Sequence, residues 1–281
     1  MIKNYFKIAI RSFVKDRTYA IINLIGLAIS LTGVLIILAY VKYELSFDHY
    51  YSHSPRIYRI AVEQKKDSIV EKTLTFPDPL AYTLKNEFPE IESVSKLIPR
   101  EVDFVINNKI SHVDLIKVDS NFLNIFDLPF LYGDRKTALI KKGNIVLTES
   151  TAKKLFPKQN VIGKELKYRD HQGVFQTYIV SGVIKDIPPN THFHTEAIVS
   201  ESVAQETLNW SSYSTTGFKY IMLKKEADIR ALQKKVLSIY KKYEFPKSVN
   251  ILFQPVTSIH LHSNIEGEYY KNSSIKNRVY S

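Results

Sequence analysis

Residues 19–41 read YAIINLIGLAISLTGVLIILAYV, 23 residues without a charged side chain. At 1.5 Å per residue a helix of this length covers about 35 Å, against about 30 Å for the hydrocarbon core of a bilayer. Asn23 is the one amide in the run. Buried helices of soluble proteins seldom run this far without a charge, so the stretch reads as a transmembrane helix, with bounds at 18–42. The rest of the chain must then lie on one side of the membrane or the other.

The flanks set the direction. Lys3, Lys7, Arg11, Lys15 and Arg17 precede the run against the single acid Asp16, whereas Lys42 is offset by Glu44 and Asp48. The positive-inside rule predicts a cytoplasmic N-terminus and an extracytoplasmic region from 43 onward. The run exceeds the apolar core of a signal peptide and ends without a small-residue cleavage pattern, so an uncleaved anchor is expected. Gly26, Ser30 and Gly33 recur at four- and three-residue spacing. Such a strip lets a second helix approach closely, although ordinary Gly and Ser usage in membrane helices explains it equally well. Residues 1–17 place Ile2, Phe6, Ala9 and Phe13 at helical spacing with basic residues between them. This predicts a cytoplasmic amphipathic helix lying against anionic lipid head groups, or a plain topogenic signal.

The 281 residues carry a net charge of +11, of which the first 42 hold six basic residues and one acid. The remaining positive charge is thinly spread, with no dense Lys/Arg block, which argues against a nucleic-acid reader. Zero cysteines exclude disulfides, thiol catalysis and Cys-ligated metals. With 18 Tyr, 15 Phe and only 9 Gly, residues 43–281 suit a packed, strand-rich domain.

Residues 43–51 form a polar-aromatic connector suited to the membrane interface. Strands are expected at 56–63, 69–76, 94–98, 103–106, 112–118, 144–147, 164–168, 176–184, 195–200, 218–223 and 249–253. Turns are expected at 65–68, at Asn107-Asn108 and around Gly173. Leu80, Leu84 and Phe88 mark one helix, and Thr148 caps another that ends at Pro157. Asp228 caps the clearest one, whose face is Ile229, Leu232, Val236, Ile239, Tyr240 and Tyr243. The tail 272–281 is polar and basic, without an apolar face.

Little in the chain spells chemistry. No G-x-G-x-x-G, Walker loop or G-x-S-x-G elbow occurs. His192-x-His194 and His260-x-His262 could each offer two metal ligands from a strand, but histidines beside a turn are the simpler reading. The carboxylates are dispersed. The expectation is a non-enzyme with no catalytic residues, no cofactor and no metal.

Several phrases, in order, resemble permease subunits of MacB/FtsX-type ABC transporters. They are residues 1–12 (MIKNYFKIAIRS), 23–30 (NLIGLAIS), 43–48 (YELSFD), 56–59 (RIYR), 145–156 (IVLTESTAKKLF), 180–188 (VSGVIKDIP) and 255–261 (PVTSIHL). The resemblance covers nearly the whole chain. It implies an α+β fold: one transmembrane helix, then a two-lobed MacB-like periplasmic core domain over 43–281. A porter-like lobe with split β-α-β units would use about 55–98 and 217–262, with a second lobe inserted at about 99–216. A family permease continues into further membrane helices, so the chain is expected to be the N-terminal part of a longer protein. The implied partners are a cytoplasmic ABC ATPase subunit, a second permease as homo- or heterodimer, and a periplasmic adaptor protein. The implied function is permease or mechanotransmission, coupling ATP hydrolysis elsewhere to motion of the outer domain for export or signalling. The competing readings are a membrane-tethered sensor domain of a receptor and a membrane-anchored enzyme. Sequence downstream of Ser281 separates them: three further spans mark a permease, and one span with signalling modules marks a sensor.

Overall fold

The structure is a computed structural model. It describes residues 4–5, 7–8, 11, 15–66, 69–106, 109–157, 160–169, 174–200, 210, 213–214, 217–244, 249–263, 265 and 268. The turns read at 65–68, Asn107-Asn108 and Gly173 fall wholly or partly outside these residues. So do the tail, Lys3 and the whole apolar face read over 1–17. The described residues of 4–15 are helical.

The chain divides into two compact units, Met1–Ser46 and Phe47–Ser281. The first holds helix α1 (Arg17–Glu44), with no residue buried. Its length and hydropathy suffice to cross a membrane. The exposed apolar run is what lipid would cover, since all backbone groups of a helix are paired within it.

The second unit is built on an 11-stranded sheet. Its strands are β1 (Ile57–Lys66), β2 (Ile69–Thr73), β4 (Ile91–Ile106), β5 (Lys109–Val118), β6 (Phe130–Gly133), β7 (Asn144–Thr148), β8 (Glu165–Arg169), β9 (Phe175–Ile184), β10 (Ala197–Ser200), β12 (Phe218–Leu223) and β13 (Val249–Pro255). The order is β13-β1-β12-β4-β5-β10-β7-β9-β6, with β2 beside β1 and β8 bridging β4 to β9. β3 (Phe76–Pro77) and β11 (Tyr213–Ser214) form a separate two-stranded sheet. Among the described residues only β5–β10 and β7–β9 pair in parallel.

Strand alternation sorts the core. Ile60 and Val62 of β1, with Ile221 and Leu223 of β12, meet helices α2 (Leu80–Glu87), α5 (Ile229–Lys235) and α6 (Leu237–Lys242) in one cluster. Ile145 and Leu147 of β7, with Val180 of β9, meet α4 (Glu149–Leu155) in a second. The alternate residues Ile57, Ala61, Tyr220, Met222, Val146 and Ile184 join a third, aromatic-rich cluster with α3 (Phe122–Ile125) and α7 (Ile259–His262).

Most expected elements stand, with four corrections. The strands read at 94–98 and 103–106 are one strand, β4, running through Pro99. Pro99 is tolerated because the pairing with β12 stops at Leu97 and that with β8 starts at Phe104, leaving only β5 alongside. The helix capped by Asp228 is two helices. Ile239 N–H bonds the Val236 carbonyl at 3.0 Å, three residues back, and this tighter turn separates them. Strand β6 was not expected. The connector 43–51 is not wholly interfacial, because Asp48 and Tyr51 are buried at 0 % and 1 % exposure. The caps hold: Asp228 accepts from Arg230 N–H at 2.9 Å, and Thr148 accepts from Thr151 N–H at 3.4 Å.

Candidate functional site: the junction behind the membrane helix

One row of paired residues crosses three strands. Gln254 of β13 pairs with Arg59 of β1, and Arg59 pairs with Tyr220 of β12. Alternation points Arg59 inward with Ile57 and Ala61, so a guanidinium enters the core at 1 % exposure. A buried charge this large needs full pairing. Glu268 meets the two terminal nitrogens with both carboxylate oxygens, at 2.5 Å to Nη1 and 2.6 Å to Nη2, while the buried Nε has no hydrogen-bond partner among the described residues. Gln254 Oε1 and Ser263 Oγ accept from Nη2 at 2.6 and 3.1 Å. The fork geometry of arginine suits this bidentate grip. It fastens Ser263 and Glu268 to strand β1.

Tyr220 carries the row onward. Its hydroxyl lies 2.8 Å from His192 Nε2, and His192 Nδ1 lies 2.6 Å from Asp48 Oδ1. His192 backbone N–H also donates to Asp48 Oδ1, at 3.0 Å. His192 thus bridges the Asp48 carboxylate and the Tyr220 hydroxyl through its two ring nitrogens. Asp48 itself adopts a φ of 60°, and its N–H donates to the Asn190 carbonyl at 2.9 Å. Aspartate is among the few residues that tolerate this left-handed conformation. The Pro188-Pro189-Asn190 break thus serves to bring His192 under the start of the domain.

Asp48–His192–Tyr220 has the connectivity of a catalytic relay but not its access. Exposures are 0 %, 7 % and 1 %, and Phe126 packs edge-on against Tyr220 at 5.2 Å. Burial drives the Tyr220 hydroxyl pKa far up. The same cause, followed by the Asp48 charge, raises that of Tyr51. Such groups hold geometry and do not exchange protons with a substrate. Among the described residues no group of His, Asp and Glu suits a metal ion.

Phe47 and Asp48 follow α1 in sequence, and Ser263 and Glu268 follow α7. The two segments also touch directly: Phe47 and His260 stack with centroids 3.4 Å apart and planes 2° off parallel. The site therefore ties the beginning of the domain to its end.

The residues singled out from sequence lie elsewhere. Gly26, Ser30 and Gly33 sit on α1, all exposed, with Ser30 Oγ donating to the Gly26 carbonyl at 2.9 Å. A Cβ at Gly26 or Gly33 would meet nothing within 4 Å. Lys7, Arg11, Lys15 and Arg17 are exposed, and Lys3 falls outside the described residues. The reading of both histidine pairs as plain turn-side residues is corrected for His192 and His260. His192 is a buried partner of Asp48, and His260 is a stacked ring on a helix, where i and i+2 do not share a face. Sequence reading missed Arg59 and Asp48. The usable signals were an arginine in phase with Ile57 and Ala61, and a lone carboxylate inside the aromatic run 47–51.

Residues 20–239 match the family model described as MacB-like periplasmic core domain. A domain of a putative permease protein from Porphyromonas gingivalis superposes with a TM-score of 0.61 at 17 % identity, covering 82 % of this chain and 98 % of that one. The periplasmic region of MacB from Actinobacillus actinomycetemcomitans gives 0.48 at 16 % identity, over 71 % of this chain and 89 % of that one. The extracellular domain of the noncanonic ABC-type transporter YknZ from Gram-positive bacteria gives 0.49 at 14 % identity, over 70 % and 99 %. No curated protein matches.

Proposed function

The chain belongs to the family of MacB-like periplasmic core domains, and from that premise we propose that it is a mechanotransmission subunit of an ABC transporter. The family's proteins are non-catalytic permease components that work with ABC ATPases, anchored in a membrane with an extracytoplasmic domain. In this reading the N-terminus is cytoplasmic and the membrane is the bacterial inner membrane. ATP-driven movement of α1 pulls on Phe47 and Asp48. The observation that carries the reading is the buried chain from Asp48 through His192 and Tyr220 to the Arg59–Glu268 pair. A pull at the first residues of the domain is then passed on to Glu268 through these contacts.

The remaining assignments complete the picture. Residues 55–98 and 217–262 form the porter-like lobe, with 99–216 inserted. The Gly26–Ser30–Gly33 strip packs on a helix of a second permease subunit, as homo- or heterodimer. The basic residues Lys3, Lys7, Arg11, Lys15 and Arg17 rest on anionic lipid. A periplasmic adaptor receives the motion.

The test is ATP turnover by the full-length protein copurified with its ATPase in lipid nanodiscs. A Cβ at Gly26 or Gly33 meets nothing within 4 Å among the described residues, so the Leu variants test packing against helices that lie beyond them. Loss of coupling is expected in both Leu variants and in His192→Ala. Full coupling in all three, with the complex still assembled, would overturn the reading.

A further inference from the structure

The sheet face that β4, β5, β8 and β9 turn away from their core has an unusual make-up. Register places Thr177, Lys167, Val105 and Ile110 in one row across the four strands. Residues two apart share a side, so Phe175 and Ile179 flank Thr177, while Asp103 and His112, then Glu101 and Asp114, continue from Val105 and Ile110. The opposite side is the buried one, with Phe104, Val113, Leu166 and Tyr178. Outward, Ile110 is 72 % exposed, Phe175 62 %, Ile179 48 % and Val105 39 %. A solvated antiparallel face is ordinarily polar. Large apolar side chains gathered on one face and rimmed by charge mark a protein interaction surface.

The rim is acidic in a chain of net charge +11. The Glu101, Asp103 and Asp114 side chains are 76 %, 60 % and 45 % exposed and converge on His112, whose Nδ1 lies 2.9 Å from Asp103 Oδ1. A second copy docked with its acidic rim against this one would set carboxylate against carboxylate, and Lys167 lies in the central row, outside that rim. Anionic lipid head groups would meet the same repulsion. A protein surface with basic side chains beside apolar ones satisfies both halves of the face.

We propose that this face docks an extracytoplasmic protein presenting Lys or Arg alongside apolar residues. The proposal stands apart from the coupling junction, whose residues it does not use.

The probe is a fluorescein-labelled peptide of alternating Val and Lys, read by anisotropy against the full chain in zwitterionic nanodiscs. The control peptide alternates Val and Glu. The Lys peptide should bind and the Glu peptide should not. Ile110→Asp with Phe175→Asp should weaken binding by about tenfold or more, as loss of apolar anchors does. Glu101→Gln with Asp103→Asn and Asp114→Asn should weaken it about fivefold and flatten its salt dependence. Melting curves accompany each variant, and Ile110→Thr replaces the double variant if that one does not fold. Equal binding by wild type and variants, or equal binding of the two peptides, overturns the proposal. So does sedimentation showing a wild-type dimer that the apolar variant breaks, which assigns the face to a second copy. Binding to anionic vesicles that the same variant abolishes assigns it to lipid, with the same consequence.

Discussion

The two ends of the sheet solve burial differently. Around β1, β12 and β13 the interior contains Asp48, Arg59, His192 and Lys219, each under 9 % exposed. Lys219 Nζ pairs with Asp78 at 3.1 Å and lies over the Phe76 ring at 4.4 Å. Around β7, β8, β9 and α4 the buried polar groups among the described residues are uncharged, Thr148 and Thr151 with them, and the ion pairs are external. Glu149–Lys153 at 2.6 Å and Glu196–Lys154 at 3.1 Å are examples. Apolar packing is cheaper per residue but tolerates small shifts. Buried charge pairs allow one arrangement, because any shift strands a charge. The end of the domain that carries the junction is therefore the end built for a fixed geometry.

The largest expected effect tests that contrast directly. Asp48→Ala leaves His192 N–H and Nδ1 without their partner inside the core. Arg59→Ala strands Glu268. Removing one partner of a buried pair costs about 3–5 kcal/mol. Both variants should lower the melting temperature of the full chain in nanodiscs by many degrees, while Lys153→Ala at the other end should leave it where it was. Equal melting of all three breaks the comparison.

A middle-sized effect separates charge from backbone strain at Asp48. Asparagine tolerates the same left-handed φ and keeps an acceptor for His192. Asp48→Asn should therefore cost about 1–2 kcal/mol, well below Asp48→Ala. In the other half Gly133 has φ 85°, and a Cβ there would strike the Ser181 carbonyl. Gly133→Ala should cost about 1–3 kcal/mol through strain alone. Thermal melts of the pair show whether strain or charge dominates at each end. If Asp48→Asn equals Asp48→Ala, the carboxylate charge, and not the hydrogen-bond geometry, holds the junction.

The same division explains what could be read from sequence. The apolar end was legible: Thr148 as a cap, Ala152 and Leu155 facing inward, and β9 by its alternation all fall where periodicity put them. Local rules suffice where each residue answers to its neighbours in sequence. The junction was not legible, because its partners are remote. Asp48 meets His192 across 144 positions, and Arg59 meets Glu268 across 209. No spacing rule relates such pairs. The long strand through Pro99 escaped for a related reason. Whether a proline ends a strand depends on which neighbours lie beside it, and that is a tertiary fact.

The smallest effect is on pH, and the two ends should titrate with opposite sign. At the exposed end a hydrogen bond to Asp103, aided by the charges of Asp103, Glu101 and Asp114, raises the pKa of His112 above 6.5. Its contribution to stability is present in full below 6.5 and is lost as pH rises through the raised folded value. At the junction end burial lowers the pKa of His194 below 6.5, against the opposing pull of the Asp48 charge. Its contribution is present above 6.5 and is lost as pH falls through the lowered folded value. Imidazole Cε1–H shifts across pH 4–9 would follow both rings. Asp103→Asn removes the charge that holds His112 up, so that ring should titrate lower while His194 stays put. Asp48→Asn removes the carboxylate charge that holds His194 up, so that ring should titrate lower still while His112 stays put. A single variant that moved both histidines would mean that the two ends share one electrostatic environment. The contrast between a charged junction and an apolar far end would then lose its physical basis.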